Sequence, residues 1–389
     1  MNKKYDIVVV GAGPAGSTAA RFAAQSGASV LLLEKDREIG IPVRCAEGVG
    51  EKGLETVVEI KPHWIAQEIS GVALVSPSED RVDVESNEMG YVLNRKIFDY
   101  ELAQMAADAG ADVLTRAYVH GLLFRDGKVS GVRLQHLDSE LEVEASIVIG
   151  ADGVESRVGR WAGLKTRTSM KDMETCAQVT ASHIDVDEKY CHFYFSNEKY
   201  PGGYLWVFPK GNGLANVGLG ISGEYSRHKS PFAYLQDFLD AKFPHAAILT
   251  TVAGGVPCSP TLEQIVSDGL VLVGDAAHQA NPVSGGGITS GMVAAKIAGQ
   301  VAGAAIVDGN VSKKRLTEYV NLWNKAEGNK HKVFYKLKKF VYNLTDEELD
   351  NAARILLDMP VEKRTLVSIF KSALIKHPSL IVDIIKAFA

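Results

Sequence analysis

Residues 5–34 read YDIVVVGAGPAGSTAARFAAQSGASVLLLE, and the order of elements in this stretch decides the fold. An apolar run, Ile7 to Val10, leads directly into Gly11, Gly13 and Gly16 in a G-x-G-x-x-G arrangement. An Ala-rich helical stretch follows, and then a second apolar run, Val30 to Leu33, closed by Glu34. In a strand–helix–strand unit of this kind the first glycine permits a tight turn. The second lets the backbone approach a pyrophosphate, and the third lets the helix pack close to the strand. The helix N-terminus offers unpaired N–H groups and a positive dipole end to phosphates, and an acid at the end of the second strand accepts ribose hydroxyls. The unit is therefore expected to bind an adenine dinucleotide through Gly11, Gly13, Gly16 and Glu34.

The rest of the chain is ordinary in bulk. Its 389 residues are 46% hydrophobic and 23% charged, enough for two or three packed units. A net charge of −5 without a long basic block argues against nucleic acid as a partner. Cys45, Cys176, Cys191 and Cys258 are scattered, with no C-x-x-C pair. No metal site and no disulfide framework are expected, and the thiols suit a reducing cytoplasm. The first strand begins within a few residues of Met1, so no signal peptide is expected. The longest apolar run, Ile288 to Val307, is interrupted by Lys296 and Gln300 and rich in Gly and Ala. It reads as a buried helix, not a membrane span.

Three distant segments share one grammar, an apolar strand ending in small or acidic residues. They are Ile7 to Gly16, Ile147 to Gly153, and Leu270 to Asp275 followed by AAHQANPVSGGGI. Such strands suit one parallel sheet with its ligand at the carboxyl edge. Residues 174–222 instead alternate with period two, as in Tyr204-Leu205-Trp206-Val207-Phe208, which indicates antiparallel strands with one buried face. Residues 311–389 read as amphipathic helices, including Glu347 to Leu357 and Leu366 to Ile375, broken near Pro360 and Pro378. The expected fold class is α/β: a discontinuous Rossmann-like unit, an antiparallel-sheet substrate domain and a helical C-terminal region. The expected division is 1–75, 92–170 and 263–310 for the first, 76–91 and 171–262 for the second, and 311–389 for the third.

With these segments in hand the chain resembles the geranylgeranyl reductase family, and within it the archaeal digeranylgeranylglycerophospholipid reductases, of the p-hydroxybenzoate hydroxylase fold. The resemblance rests on GAGPAG at 11–16, PVRCAEGVG at 42–50, ADG at 151–153, YLWVFPKGNGLANVGLG at 204–220 and GDAAHQANPVSGGGI at 274–288. The second and fourth motifs are the specific ones. His278 departs from many archaeal members, and the GDAAH spelling is shared with flavin hydroxylases.

The resemblance implies a tightly bound FAD that reduces isolated double bonds in the isoprenoid chains of membrane ether lipids. It places Cys45, Ala46 and Gly48 at the FAD, puts a flavin-binding arginine at Arg95, and lines the dinucleotide with backbone near Ala15 and Val119. Arg95 opens a helical run, Ile97 to Ala109, where a guanidinium can grip a pyrophosphate through two parallel hydrogen bonds. Asp275 is expected on the ribityl chain, with the backbone at Gly287 and Ile288 facing the flavin's polar edge from a helix N-terminus. Tyr204, Trp206 and Phe208, spaced by two, are read either as sheet core or as an aromatic wall for a long apolar chain. Lys210 is then expected near the mouth, where a phosphate head group rests.

Reduced flavin is the expected hydride source, since side chains cannot donate hydride. An unactivated trisubstituted alkene also needs a proton at the other carbon, giving cationic character that aromatic faces stabilise. Cys45 is the residue considered for that proton, although a thiol of pKa ~8.5 is a weak acid for the task. Water or the flavin itself are the other sources considered. Cys176, Cys191 and Cys258 are read as small buried hydrophobes.

A soluble electron donor such as a ferredoxin, or a reduced nicotinamide or deazaflavin, is expected, with peripheral contact at the inner face of the membrane. Two alternatives stay open: a flavin monooxygenase of the same fold, and a non-catalytic isoprenoid-binding flavoprotein.

Overall fold

The structure, a computed structural model, describes residues 3–365 together with 368, 369 and 371. The strands Lys4–Val10, Val30–Leu33, Asp112–Leu114, Ser139–Gly150 and Leu270–Leu272 pair in parallel within one eight-stranded sheet. Lys4–Val10, Val30–Leu33, Leu270–Leu272 and the end of Ser139–Gly150 are buried almost continuously, as expected of strands covered on both faces. Val10 pairs with Gly150, and Gly150 with Leu272. The three segments of shared grammar thus end side by side, and their loops emerge at one carboxyl edge. A hairpin, Ala117–Arg125 and Lys128–His136, extends this sheet through Ser139–Gly150.

The Gly/Ala-rich helix Ile288–Val307 lies against the helix Pro14–Gln25, whose buried face is also built from Ala, Gly and Ser. It is the one described helix long and apolar enough to cross a membrane, and 56% of its most apolar window is buried inside the protein. Small side chains let the two helices approach closely, so its hydropathy reflects core packing.

A second eight-stranded sheet runs in the order Ala247–Pro257, Met173–Ser182, Leu214–Ser222, Tyr204–Gly211, Tyr190–Tyr194, Ile65–Val75, Arg81–Leu93, Gly48–Gly50. All pairings are antiparallel except Tyr190–Tyr194 with Ile65–Val75. The expected boundary at 75/76 therefore falls too late. Ile65–Val75 and Arg81–Leu93 are two arms of one long hairpin, and both arms belong to the second sheet. The short strand Gly48–Gly50 joins it as well, carrying the 42–50 loop across from one sheet to the other.

In the C-terminal region the helices Lys313–Trp323, Asn329–Val341 and Asp346–Leu357 are described. The last agrees with the expected Glu347 to Leu357 and is closed at its start by a Thr345/Glu348 capping box. Asp350 accepts from Ser76 and Ser78, and Asp346 from Ser196, all at 2.6 Å, which fastens this helix to the second sheet. The expected helix Leu366 to Ile375 lies largely outside the described residues.

Candidate active site

A cavity of about 670 Å³ lies where the carboxyl-edge loops of the first sheet meet the inner face of the second. Gly13, Ala15, Gly16, Cys45, Ala46, Gly48, Arg95, Asp275, Gly287 and Ile288 line it, as do Tyr204, Trp206 and Phe208. Residues expected at the cofactor and residues expected at the substrate thus face one space, although the two sets are up to 195 positions apart in sequence.

The glycine fingerprint divides its work. A Cβ on Gly11, whose φ is +101°, would sit 2.4 Å from the Ala151 carbonyl oxygen, and one on Gly16 would sit 1.7 Å from that of Gly11. Both are required by the protein's own packing. A Cβ on Gly13 would meet nothing within 4 Å. Gly13 caps the helix Pro14–Gln25 without a side-chain partner, leaving N–H groups directed at open space. The cradle has the shape and polarity a pyrophosphate requires. Glu34 stands beside it at the end of the second strand and accepts from the N–H groups of Ala12 (2.8 Å) and Asp36 (3.0 Å). It is not part of the cavity wall.

Asp275 sits in a 3₁₀ turn, Gly274–Ala277, just before the 274–288 loop. Among the described residues no donor reaches its carboxylate, which faces the cavity. Burial pushes its pKa up to about 6, the nearby Arg95 guanidinium opposing the shift. An acceptor left unpartnered in this way fits a hydroxyl-bearing ligand. The turn is held by His278, whose φ is +57°; its Nδ1 lies 2.8 Å from Ser259 Oγ and its Nε2 3.0 Å from Thr168 Oγ1. Burial pulls His278 down to about 4, so it is a neutral positioning residue.

Cys45 lines the cavity with its carbonyl accepting from Gln178 Nε2 at 2.8 Å and its sulfur approached by the Glu47 N–H at 3.2 Å. Burial raises its pKa, with Arg95 opposing. Arg95 also lines the cavity. Its two parallel hydrogen bonds, from Nε (2.5 Å) and Nη2 (2.7 Å), go to the carboxylate of Asp99 one turn along the same helix, Arg95–Asp108. The pairing leaves the guanidinium as a fixed positive wall beside Cys45 and Asp275.

One expectation is corrected. Lys210 does not stand at the mouth: its side chain is 12% exposed, and its ammonium pairs with the buried Glu47 and donates to the Leu93 carbonyl at 2.9 Å. Strand alternation places Lys210 on the same face as Phe208, and that face is closed over by the 42–50 loop at this end. Val119 pairs with Leu134 in the hairpin, is 6% exposed and, like Glu34, lies outside the cavity wall; its strand starts beside Glu34, where the Ala117 N–H donates to the Glu34 carbonyl at 2.8 Å.

The aromatic reading resolves toward a wall. Tyr204, Trp206 and Phe208 face the cavity, with Phe193 of the next strand 5.5 Å from Tyr204 and 5.3 Å from Phe208 between ring centroids. Trp206 Nε1 donates to Gln178 Oε1 at 3.0 Å, and the Tyr204 hydroxyl donates to the Ser284 carbonyl. A Cβ on Gly48 would lie 2.7 Å from the Phe208 ring, so this glycine is demanded by the aromatic it touches.

Sequence reasoning did not single out Gln178, Phe193, Arg44 or Tyr342, which also line the cavity. Gln178 had a legible signal, a polar residue on the inward phase of Met173–Ser182. Tyr342 had none, since it reaches the wall from the far end of the helix Asn329–Val341. Among the described residues no group of three or more His, Cys, Asp or Glu is placed to hold a metal.

Two family models match the chain: "FAD dependent oxidoreductase" over residues 6–202, and "Geranylgeranyl reductase catalytic domain" over residues 172–256. The chain is 47% identical to a digeranylgeranylglycerophospholipid reductase of Methanosarcina mazei, over 99% of this chain and 96% of that one. It is 46% identical to digeranylgeranylglycerophospholipid reductase 1 of Methanococcoides burtonii, over 97% and 93%. Among solved structures, a geranylgeranyl bacteriochlorophyll reductase-like protein from Thermoplasma acidophilum superposes with a TM-score of 0.93 at 36% identity, covering 99% of both chains. A flavin-dependent brominase shares the fold at a TM-score of 0.71 and 18% identity, over 97% of this chain and 99% of that one.

Proposed function

The chain belongs to the digeranylgeranylglycerophospholipid reductase family, and we infer from that membership an FAD-dependent oxidoreductase that saturates isolated carbon–carbon double bonds in the geranylgeranyl chains of membrane ether phospholipids. The observation that carries this reading is the shared cavity in which an anion cradle and a half-buried acid, with no donor among the described residues, face an aromatic wall. A polar half suits a flavin dinucleotide, and an apolar half suits a polyprenyl chain.

The residues present fit FAD. The N–H groups around Gly13 and Ala15 would take the pyrophosphate, Glu34 the adenosine ribose and Asp275 the ribityl chain, with Ile288 at the polar edge of the ring. When bound, the reduced cofactor supplies the hydride equivalent that no side chain can. The chain's own residues do the rest. Tyr204, Trp206, Phe208 and Phe193 exclude water and present ring faces that stabilise positive charge developing on a substituted alkene carbon. The raised pKa of Cys45 keeps the proton on its sulfur at neutral pH, where it is a group able to hold a proton at the cavity wall.

Two features of the cellular setting belong to the same proposal. Electrons come from a soluble donor, such as a ferredoxin or a reduced nicotinamide or deazaflavin. The protein is cytoplasmic and touches the inner face of the membrane peripherally. Support for the contact comes from the helix Asn329–Val341, which carries exposed Lys330, Lys332, Lys336 and Lys339 and no acid, and ends beside the cavity-lining Tyr342.

Photoreduced holoenzyme incubated with a digeranylgeranyl lipid tests the function. Product heavier by two mass units per double bond is expected, with reoxidation of the flavin absorbance. Reduced flavin that persists without lipid product would overturn the reading.

A further inference from the structure

We propose that Arg44 is the anchor for the phosphate of the lipid head group and sets the enzyme's preference for phosphorylated over neutral isoprenoid lipids. The proposal rests on the lipid reductase reading and adds to it the residue that recognises the polar end of the substrate.

The lining of the cavity contains two cations, Arg44 and Arg95. Arg95 is committed to Asp99 by its paired hydrogen bonds, and Lys210, whose spacing suggested the head-group role, is committed to Glu47. Arg44 is exposed at the edge of the cavity, and among the described residues no anion pairs with it. It lies against Gly254, where an added Cβ would meet its Cδ at 3.8 Å and its Cβ at 3.9 Å. Gly254 belongs to Ala247–Pro257, the edge strand of the second sheet, and the aliphatic stem of Arg44 rests where this residue has no side chain. A planar fork of donors with no anion of its own at the rim of a largely apolar cavity is a chemistry that takes a phosphate. An exposed position suits a head group that stays hydrated while its chains enter the apolar half of the cavity.

The test compares the wild-type holoenzyme with R44Q and R44K on two lipids, a digeranylgeranylglyceryl phosphate and the same lipid without phosphate, dispersed in neutral detergent. The ratio of kcat/KM for the phosphorylated to the neutral lipid is expected to fall about 10- to 100-fold in R44Q, the loss residing in KM, with R44K recovering part of it. Equilibrium binding of the phosphorylated lipid to the oxidised holoenzyme should weaken by a similar factor. In the wild type the ratio should decline as salt rises, and in R44Q it should be flat, because an exposed charge pair is screened. An unchanged ratio in R44Q, or equal losses on both lipids, would overturn the assignment of Arg44 while leaving the reductase intact. A wild-type enzyme that reduces neither lipid would instead overturn the function on which the assignment stands.

Discussion

Gln178 joins the loop of Cys45 to the aromatic wall: its Nε2 donates to the Cys45 carbonyl at 2.8 Å. Its Oε1 meanwhile accepts from Trp206 Nε1 at 3.0 Å. One buried amide thereby sets the spacing between the polar and apolar halves of the cavity. Replacement by Leu strands a buried N–H and a buried C=O, at a cost of about 1–3 kcal/mol for each unsatisfied group. Gln178→Leu should lower the thermal midpoint and reduce alkene turnover more than FAD content. A variant that melts and turns over like wild type would show that the bridge carries no weight.

Asp275→Ala should lose FAD, because the ribityl hydroxyls lose their acceptor. Full flavin stoichiometry after dialysis would contradict this. The same residue makes a prediction about the apoprotein. Its folded pKa of about 6 lies above the ordinary carboxyl value of 3.8. The group therefore contributes stability that is complete below pH 3.8 and is lost as pH rises through about 6. Asp275→Asn apoprotein should then exceed wild-type apoprotein in stability at pH 7, by about 2 kcal/mol, with the difference shrinking toward pH 4. Urea titrations of both apoproteins at the two pH values measure it.

Cys45→Ala should reduce alkene saturation strongly while FAD stays bound, since the thiol lies on the cavity wall but its backbone carbonyl makes the structural contact. Single-turnover reduction of a geranylgeranyl lipid by photoreduced enzyme is the measurement. Undiminished turnover would remove the thiol from the reaction.

Lys210→Met should act on stability and not on lipid affinity. It leaves Glu47 buried and unpaired, which costs about 3–5 kcal/mol, whereas the double replacement Glu47→Gln with Lys210→Met should recover much of the loss. A raised KM for phosphorylated lipid with unchanged thermal stability would return Lys210 to the head-group role.

Local order was enough for the frame. Residues 5–34 specify strand, turn, helix and strand through hydrophobic period and glycine placement, both of which act over a few residues. The same local grammar identified the strands ending at Gly150 and Leu272, and the inward phase of Tyr204, Trp206 and Phe208. It also carried the family, because the 42–50 and 204–220 motifs are contiguous.

Tertiary structure decided what each charged side chain is left free to do. Arg95, Lys210 and Arg44 look alike in a one-dimensional string, as cations near motifs. The helix itself sets Asp99 one turn from the first, whereas folding brings Glu47 against the second and leaves the third exposed at the cavity rim, paired with no anion among the described residues. For Lys210 and Arg44 the outcome is set by distances between elements far apart in the chain, and the cost of burying an unpaired charge makes the Lys210–Glu47 pairing obligatory. The placement of Ile65–Val75 in the second sheet and the reach of Tyr342 into the cavity have the same origin, because strand partners and helix docking are decided by long-range contacts that no local pattern encodes.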